Sequence, residues 1–337
     1  MMPMNNNSRI LIISKTTELE AYEMIHGATV EEYLERTNKN ILDLERRRDR
    51  HNESLEMIRD AFESRGVRPA VFRNQSITKR DLQQDWDFII PVGGDGTYMD
   101  AARYILDDTP LFGIKSNPYS AGGHYNTHFS NAEEHIARLF SGDFSLEQRT
   151  RIEGRVKNGY NIVDLALNEI MVGDKNTAGF AKADIHINGE VYRTGSSGVV
   201  VATYKGSTGW AYKIPIIEAD NERLNPIKEA LRTAGLEDEA NKIRIVSEDA
   251  EFKDGEENII RYKVRETGHE GSGIGHDYGI LKPGEEMTIV SKMFSGGSAI
   301  FDGNKETMSR HRVYDLPLSS EIKIRISDKP LYVVQFD

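Results

Sequence analysis

The stretch Asp87-Phe-Ile-Ile-Pro-Val-Gly-Gly-Asp-Gly-Thr97 constrains this chain more than any other, because it dictates strand, tight turn and helix in immediate succession. Asp87 to Val92 is short, apolar and β-branched, as a buried parallel strand should be. Thr97 to Leu106 reads as a helix with Tyr98, Ala101, Ala102 and Ile105 on one face. Gly93, Gly94 and Gly96 let the backbone turn sharply and let phosphate oxygens approach main-chain N–H groups. Gly-Gly-Asp-Gly is also an ordinary turn sequence, with the aspartate bonding its own backbone. Its place between strand and helix brings in the phosphate or nucleotide reading. A carboxylate at that spot repels phosphate, so Asp95 is expected to have another task, such as accepting a proton or positioning a metal.

A chain of 337 residues is long for one core, and two domains are expected. With 38% hydrophobic and 29% charged residues it has the composition of a soluble globular protein. The net charge of −11 argues against nonspecific binding to nucleic acid or to an anionic membrane. The absence of cysteine removes disulfides, thiolate metal sites and cysteine nucleophiles, and is compatible with a cytoplasmic setting. No apolar run approaches the roughly 18 residues that span a bilayer. The first residues, Met1 to Ser8, read as neither signal nor transit peptide.

The pattern along the chain predicts an α/β N-terminal domain, a doubly wound parallel sheet, followed by a mainly antiparallel β-sandwich. In residues 1–145, strands are expected at Arg9–Ser14, Pro69–Arg73, Asp87–Val92 and Leu111–Lys115, with helical stretches alternating. An insertion, 18–65, reads as long amphipathic helices on the spacing Leu42, Leu44, Leu55, Ile58, Phe62. In residues 146–315, β-type runs are parted by Gly, Asn and Asp: Arg149–Val156, Asp164–Val172, Ala183–Asn188, Val199–Tyr204, Lys242–Ser247, Ile259–Glu266, Glu286–Phe294 and Ser298–Phe301. One helix, Asn225–Ala234, interrupts them. The tail, 316–337, carries two alternating strands that are free to return to either domain, the N-terminal one included.

Four further segments carry chemistry. In Ala166-Leu-Asn-Glu-Ile170, Asn168 and Glu169 are adjacent polar residues in an apolar strand, and burying both without partners would cost several kcal/mol. Either the fold supplies their partners or a ligand does. Ser196 to Trp210 is a buried-type strand running into a Gly/Ser/Thr turn, suited to ribose or phosphate, with Trp210 available to stack on a flat ring. A plain hairpin turn would look similar. Gly296 to Gly303 ends a strand in Asp302-Gly303. Gly113 to His124 follows the next strand after the glycine turn, and is expected to face Asp95 because loops at adjacent strand ends line one cleft.

Taken in order, these segments resemble the NAD kinases over nearly the whole chain. The resemblance rests on Gly93-Gly-Asp-Gly-Thr97, Asn168-Glu169, Gly206-Ser-Thr208 and Asp302-Gly303. Ser14-Lys-Thr-Thr17, Ala166-Leu-Asn-Glu169, Ser196-Ser-Gly198, Trp210 and Val264-Arg-Glu266 look most like the mitochondrial-type branch. The resemblance implies transfer of the γ-phosphoryl of ATP, or of polyphosphate, to the 2′-hydroxyl of the adenosine ribose of NAD(H), giving NADP(H). It implies Asp95 as general base, with Mg²⁺ and the N–H groups of Gly93, Gly94, Gly96 and Thr97 at the phosphates. It implies Asn168 and Glu169 at the adenosine, Thr203 and Ser207 in the dinucleotide turn, and Thr208 with Trp210 at the nicotinamide half. A homodimer or homotetramer follows from the same likeness, and no metal ligand is assigned.

The chain departs from that pattern in places. Ser197-Gly198 stands where many bacterial members have Asp-Gly, Thr203-Tyr-Lys-Gly-Ser-Thr208 replaces a Thr-Pro-Thr-Gly-Ser-Thr turn, and Lys115 occupies a usual Asn position. These changes bear on how nicotinamide and phosphates are held. The rival readings are a kinase of the same superfamily acting on a lipid or other alcohol, and a noncatalytic dinucleotide-binding regulator.

Overall fold

The computed structural model describes residues 3–117, 123–125, 127–176, 179–208, 218–242, 252–265, 278–303 and 312–336. The chain divides into two compact units. One comprises Met1–Arg149 and Lys329–Asp337, the other Thr150–Gly303 and Arg312–Asp328.

The first unit is built on a parallel sheet. Its strands β1 (Ile10–Ser14), β2 (Ala70–Arg73), β3 (Phe88–Gly93), β4 (Ile114–Lys115) and β5 (Thr127–His128) lie in the order β2-β1-β3-β4-β5. That order is a doubly wound one, whose switch point lies between β1 and β3. Every residue of β1 and β3 is buried, which explains why these strands read as continuous apolar runs. The insertion folds as α1 (Glu18–His26), α2 (Val30–Arg36) and α3 (Ile41–Glu63). Ile58 and Phe62 of α3 pack with Ile10, Ile12, Phe88 and Ile90 in one core. Leu42, grouped with them by spacing, faces outward at 57% exposure. The remaining helices are α4 (Lys79–Leu82), α5 (Asp95–Tyr104) and α6 (Ala132–Ser141). β6 (Ser145–Arg149) pairs antiparallel with the last strand of the chain, Leu331–Gln335.

The second unit is a sandwich of two six-stranded antiparallel sheets. Its strands are β7 (Ile152–Lys157), β8 (Asn161–Ala166), β9 (Glu169–Asp174), β10 (Ala181–Ile187), β11 (Glu190–Ser196), β12 (Gly198–Thr203), β13 (Ile260–Arg265), β14 (Tyr278–Leu281), β15 (Glu286–Ser291), β16 (Gly297–Phe301), β17 (Val313–Leu316) and β18 (Glu321–Ile326). One sheet runs β11-β10-β15-β18-β7-β8, the other β14-β13-β12-β9-β16-β17. Ile152, Ile185, Met287 and Ile322 from the first meet Ile170, Val201, Tyr262 and Phe301 from the second in a single core. Two helices, α7 (Glu218–Thr233) and α8 (Glu237–Lys242), belong to this unit. The tail splits: β18 sits between β15 and β7, whereas β19 (Leu331–Gln335) is the partner of β6.

Two expectations are corrected. Arg149–Val156 is not one strand, because β6 ends at Arg149 in one unit and β7 starts at Ile152 in the other. Asp164–Val172 is not one strand either, because β8 and β9 lie in different sheets and the chain crosses at Leu167-Asn168. Beyond Lys242, the strand expected at Lys242–Ser247 lies outside the described residues.

Candidate active site

The turn after β3 enters α5 with Gly94 as its cap, in extended conformation (φ −118°), so Asp95 opens the helix. A side chain at Gly93 would place its Cβ 2.5 Å from Thr97 Oγ1 and 2.9 Å from Lys15 Cβ, so that glycine is required by close packing. A Cβ at Gly94 would meet nothing within 4 Å. Thr97 is buried, and its N–H closes onto the Gly94 carbonyl at 2.9 Å. Among the described residues, the amides left to meet an anion at the helix start are those before Thr97.

Among the described residues, Asp95 is held at one oxygen. Its Oδ2 accepts the Gly123 N–H at 3.2 Å, so Gly123, from the segment after β4, meets it. Its Oδ1 is buried without a hydrogen-bond partner among the described residues. The Tyr125 hydroxyl donates to the Gly94 carbonyl at 2.8 Å and pins the turn from below. Desolvation first, then the charge of Asp95, raises that phenol well above its ordinary 10.0, so Tyr125 acts as a fixed donor.

A cavity of about 610 Å³ opens here, at the carboxyl ends of the strands flanking the switch point. Lys15, Thr16 and Thr17 line it after β1, Asn74 and Gln75 after β2, and Gly94 to Thr97 after β3. Glu18, Ala21 and Tyr22 of α1, with Lys39, complete the wall. Neither Lys39 nor Tyr22 stood out in the sequence, since only the fold brings the insertion back to the strand ends.

Behind the cavity lies a buried polar chain. His51 of α3 contacts Ser14 Oγ through Nε2 (2.9 Å) and Ser116 Oγ through Nδ1 (3.0 Å). Arg73 donates to the same Ser14 Oγ at 2.7 Å and pairs with Glu20 at 2.6 Å. The consistent tautomer has the Ser14 hydroxyl donating to Nε2 and Nδ1–H donating to Ser116. Burial, then the charges of Arg73 and Lys15, pushes the His51 pKa down to about 3 and keeps the ring neutral. The insertion is thereby fastened to the ends of β1 and β4.

In the second unit the break between β8 and β9 is organised by one residue. Asp302, at the end of β16 with φ +46°, accepts backbone N–H groups from Leu167 (3.0 Å), Asn168 (2.7 Å) and Glu169 (3.3 Å). Arg312 donates to the same carboxylate and to the Leu165 carbonyl, and lies 3.6 Å from Asp164. Thr203 Oγ1 donates to the Leu167 carbonyl at 2.6 Å, and the Thr203 N–H to the Asn168 carbonyl at 2.8 Å. Arg312 is the residue that sequence reasoning missed here, since it carries no signal; Asp302-Gly303 stood out as a strand end and as part of the family likeness, but not for this backbone role.

Glu169 is buried, and its Oε2 has no hydrogen-bond partner among the described residues. Burial first, then the charge of Asp302, raises its pKa to about 8, against the Gly303 N–H and Arg312, which lower it. Its proton is bound in the fold and lost on unfolding, so the stabilisation is full below pH 4.5 and fades as pH rises toward 8. Unfolding free energy measured at steps from pH 5 to pH 8 is expected to fall across that window, and Glu169→Gln is expected to flatten the fall. An unchanged slope in the variant would contradict the assignment.

The turn after β12 is a 3₁₀ segment, Lys205–Thr208. The Gly206 N–H donates to Thr203 Oγ1 at 3.0 Å, and Ser207 Oγ donates to the Tyr204 carbonyl at 2.6 Å, so Ser207 is engaged within its own turn. A Cβ at Gly206 would stand 2.1 Å from the Asn168 carbonyl oxygen. Gly206→Ala is therefore expected to cost about 1–3 kcal/mol and to weaken ligand binding at Asn168, measured by thermal unfolding and titration. Lys115 ends β4, and the Ser197 N–H bonds the Arg265 carbonyl at 2.9 Å. Trp210 lies outside the described residues.

Residues 10–144 match the family model of the ATP-NAD kinase N-terminal domain. A NAD kinase of Methanopyrus kandleri is 32% identical over 161 residues, which cover 45% of this chain and 57% of that protein. The chain spans about half the length of the curated relatives it matches. Among solved structures, an NAD kinase from Archaeoglobus fulgidus in complex with ATP superposes with TM-score 0.56 at 18% identity, over 83% of this chain and 89% of that one. Yeast NADH kinase complexed with NADH gives TM-score 0.60 at 18% identity, over 100% of this chain and 85% of that one. At that identity the two structures speak for the fold. The first unit is thus similar in sequence to the NAD kinases, and the fold is shared with two solved kinases of this kind.

Proposed function

We propose that this chain is an NAD kinase that transfers the γ-phosphoryl of ATP to the 2′-hydroxyl of the adenosine ribose of NAD(H). The observation that carries the reading is Asp95, with Oδ2 fixed by Gly123 and Oδ1 buried and unengaged among the described residues. A ribose hydroxyl is a poor nucleophile until its proton has somewhere to go, and Oδ1 takes it. The 2′-oxygen then bonds to the γ-phosphorus as the bond to the β-phosphate oxygen breaks, leaving ADP. Amides at the start of α5 meet the charge on the moving phosphoryl.

Asn168 and Glu169 hold the adenosine, with Thr203 and Asp302 shaping the backbone that presents them. Thr208 and Trp210 serve the nicotinamide half. Among the described residues no group of three or more His, Cys, Asp or Glu side chains is placed to hold a metal ion. One carboxylate beside helix-start amides fits Mg²⁺ carried by the donor's phosphates, as this ion commonly is. Bound that way it supplies charge neutralisation on the phosphoryl group. A homodimer or homotetramer and a cytoplasmic setting complete the proposal. Among the described residues, no helix is long and apolar enough to cross a membrane.

The test is a choice of acceptor. The purified chain with MgATP is offered NAD, NADH and a dispersed diacylglycerol in separate assays. Phosphorylation of NAD or NADH alone is expected; a phosphorylated lipid alone would overturn the reading in favour of a lipid kinase.

A further inference from the structure

Strand β6 ends on a charge in a buried place. Arg149 is only 3% exposed, and every face of its guanidinium fork is put to use. Nε and Nη2 donate to Glu147 Oε2 at 2.9 and 2.8 Å. Nη1 donates to the Tyr98 hydroxyl at 3.1 Å and to the His124 carbonyl at 3.2 Å, with one N–H for each. Arg149, Glu147, Tyr98 and His124 all lie in the first unit. A single planar group thus ties the end of β6 to α5 and to the segment that follows β4.

Both of those elements hold Asp95. Tyr98 stands one helical turn beyond Asp95, on the same face of α5. His124 follows Gly123, whose N–H meets Asp95 Oδ2, and precedes Tyr125, whose hydroxyl meets the Gly94 carbonyl. The rings between them are close-packed: Tyr98 stacks on His124 with centroids 5.3 Å apart and meets Tyr125 edge-on at 5.2 Å. A Cβ at Gly113 would stand 2.7 Å from Tyr98 Cε2 and 2.9 Å from Tyr125 Cδ1, so the cluster is filled from that side as well. Burial raises the Tyr98 phenol above its ordinary 10.0, against the pull of the Arg149 charge, and the neutral hydroxyl accepts from Nη1.

We propose that Arg149 is a positioning residue for the transfer: through Tyr98 and the His124 carbonyl it fixes Gly123 and the start of α5, and so aims the Asp95 carboxylate at the hydroxyl it deprotonates. The inference rests on the kinase reading and adds to it a residue that acts through Asp95. Apolar side chains of similar volume would hold two elements together about as well as a buried ion pair does. They would not fix a carbonyl of one segment and a hydroxyl of another in the plane of one rigid fork. A misplacement of about 1 Å at a reacting group costs on the order of 100-fold in rate, so a small rotation of Asp95 matters more to turnover than to folding.

Steady-state kinetics of Arg149→Lys in the full chain test this. Lysine keeps the charge but not the fork that reaches Glu147, Tyr98 and His124 together. The value of kcat is expected to fall by about 10–100-fold, with KM for NAD and for MgATP changed by less than about threefold. In an Asp95→Asn background the same substitution should cost less than about threefold more, because the group it aims is already gone. Tyr98→Phe removes only the hydroxyl and should repeat the pattern at about three- to tenfold, which decides the matter if Arg149→Lys does not fold. NMR on a chain labelled at its glycine nitrogens reads the geometry without turnover: in either variant the Gly123 amide signal should move while those of Gly154 and Gly279 in the sandwich stay. An unchanged kcat, losses that multiply in the double variant, or a Gly123 signal that stays put overturns the proposal. If NADP forms and kcat ignores both substitutions, the inference falls while the kinase reading stands. If the unsubstituted chain makes no NADP yet the Gly123 signal moves, the kinase reading falls and Arg149 still holds Asp95.

Discussion

Replacing Asp95 by asparagine is expected to lower turnover by about 10²–10⁴-fold while changing NAD affinity by less than about threefold. The substitution is nearly isosteric, and the amide oxygen can still accept the Gly123 N–H that holds Oδ2 in the wild-type chain. The turn keeps its shape, since Gly93 and Thr97 pack as before and Tyr125 still caps the Gly94 carbonyl. What is lost is the oxygen able to take a proton. Equal turnover in the variant would refute the base, and a matched loss of NAD affinity would assign Asp95 to binding instead.

Asp302→Ala is expected to be the most destabilising single change in the sandwich. The carboxylate satisfies three backbone N–H groups at the crossing between sheets and partners Arg312, whose side chain is buried. Alanine takes this acceptor from the three N–H groups and from Arg312, which keeps the Leu165 carbonyl and Asp164, and removing one member of a buried pair costs about 3–5 kcal/mol. For a domain of this size that corresponds to a fall in Tm of roughly 6–20 °C. Asp302→Asn keeps the shape without the charge and should fall between. Calorimetric scans of the three proteins decide it; a shift below about 1 kcal/mol would mean that the crossing between β8 and β9 is held by something else.

The sequence spoke clearly where local rules and global fold agree. Asp87 to Thr97 announced strand, turn and helix because apolar β-branched residues, glycines and a helical stripe follow one another without conflict. The two adjacent polar residues at Asn168-Glu169 mark a candidate site because buried polar groups need partners. Their geometry was not legible, because the break at Leu167-Asn168 is imposed by Asp302, more than 130 residues away, and no local signal marks it. The edge strand β11 escaped notice because it is mostly solvent-facing and lacks an apolar alternation. Lys39 and Tyr22 were read only as part of an amphipathic insertion. Their place on the cavity wall depends on how α1 and α3 return to the strand ends, which His51 and Arg73 secure through buried bonds no periodicity encodes.

The central claim is a transfer reaction, and its most direct test is the product. The purified chain is incubated with MgATP and NAD, and NADP is followed with an NADP-specific dehydrogenase while ADP is measured in parallel. The expected result is one NADP for each ADP, with the new phosphate on the 2′ position of the adenosine ribose. NAD that binds while no NADP appears above blank would contradict the account and leave a dinucleotide-binding protein without turnover.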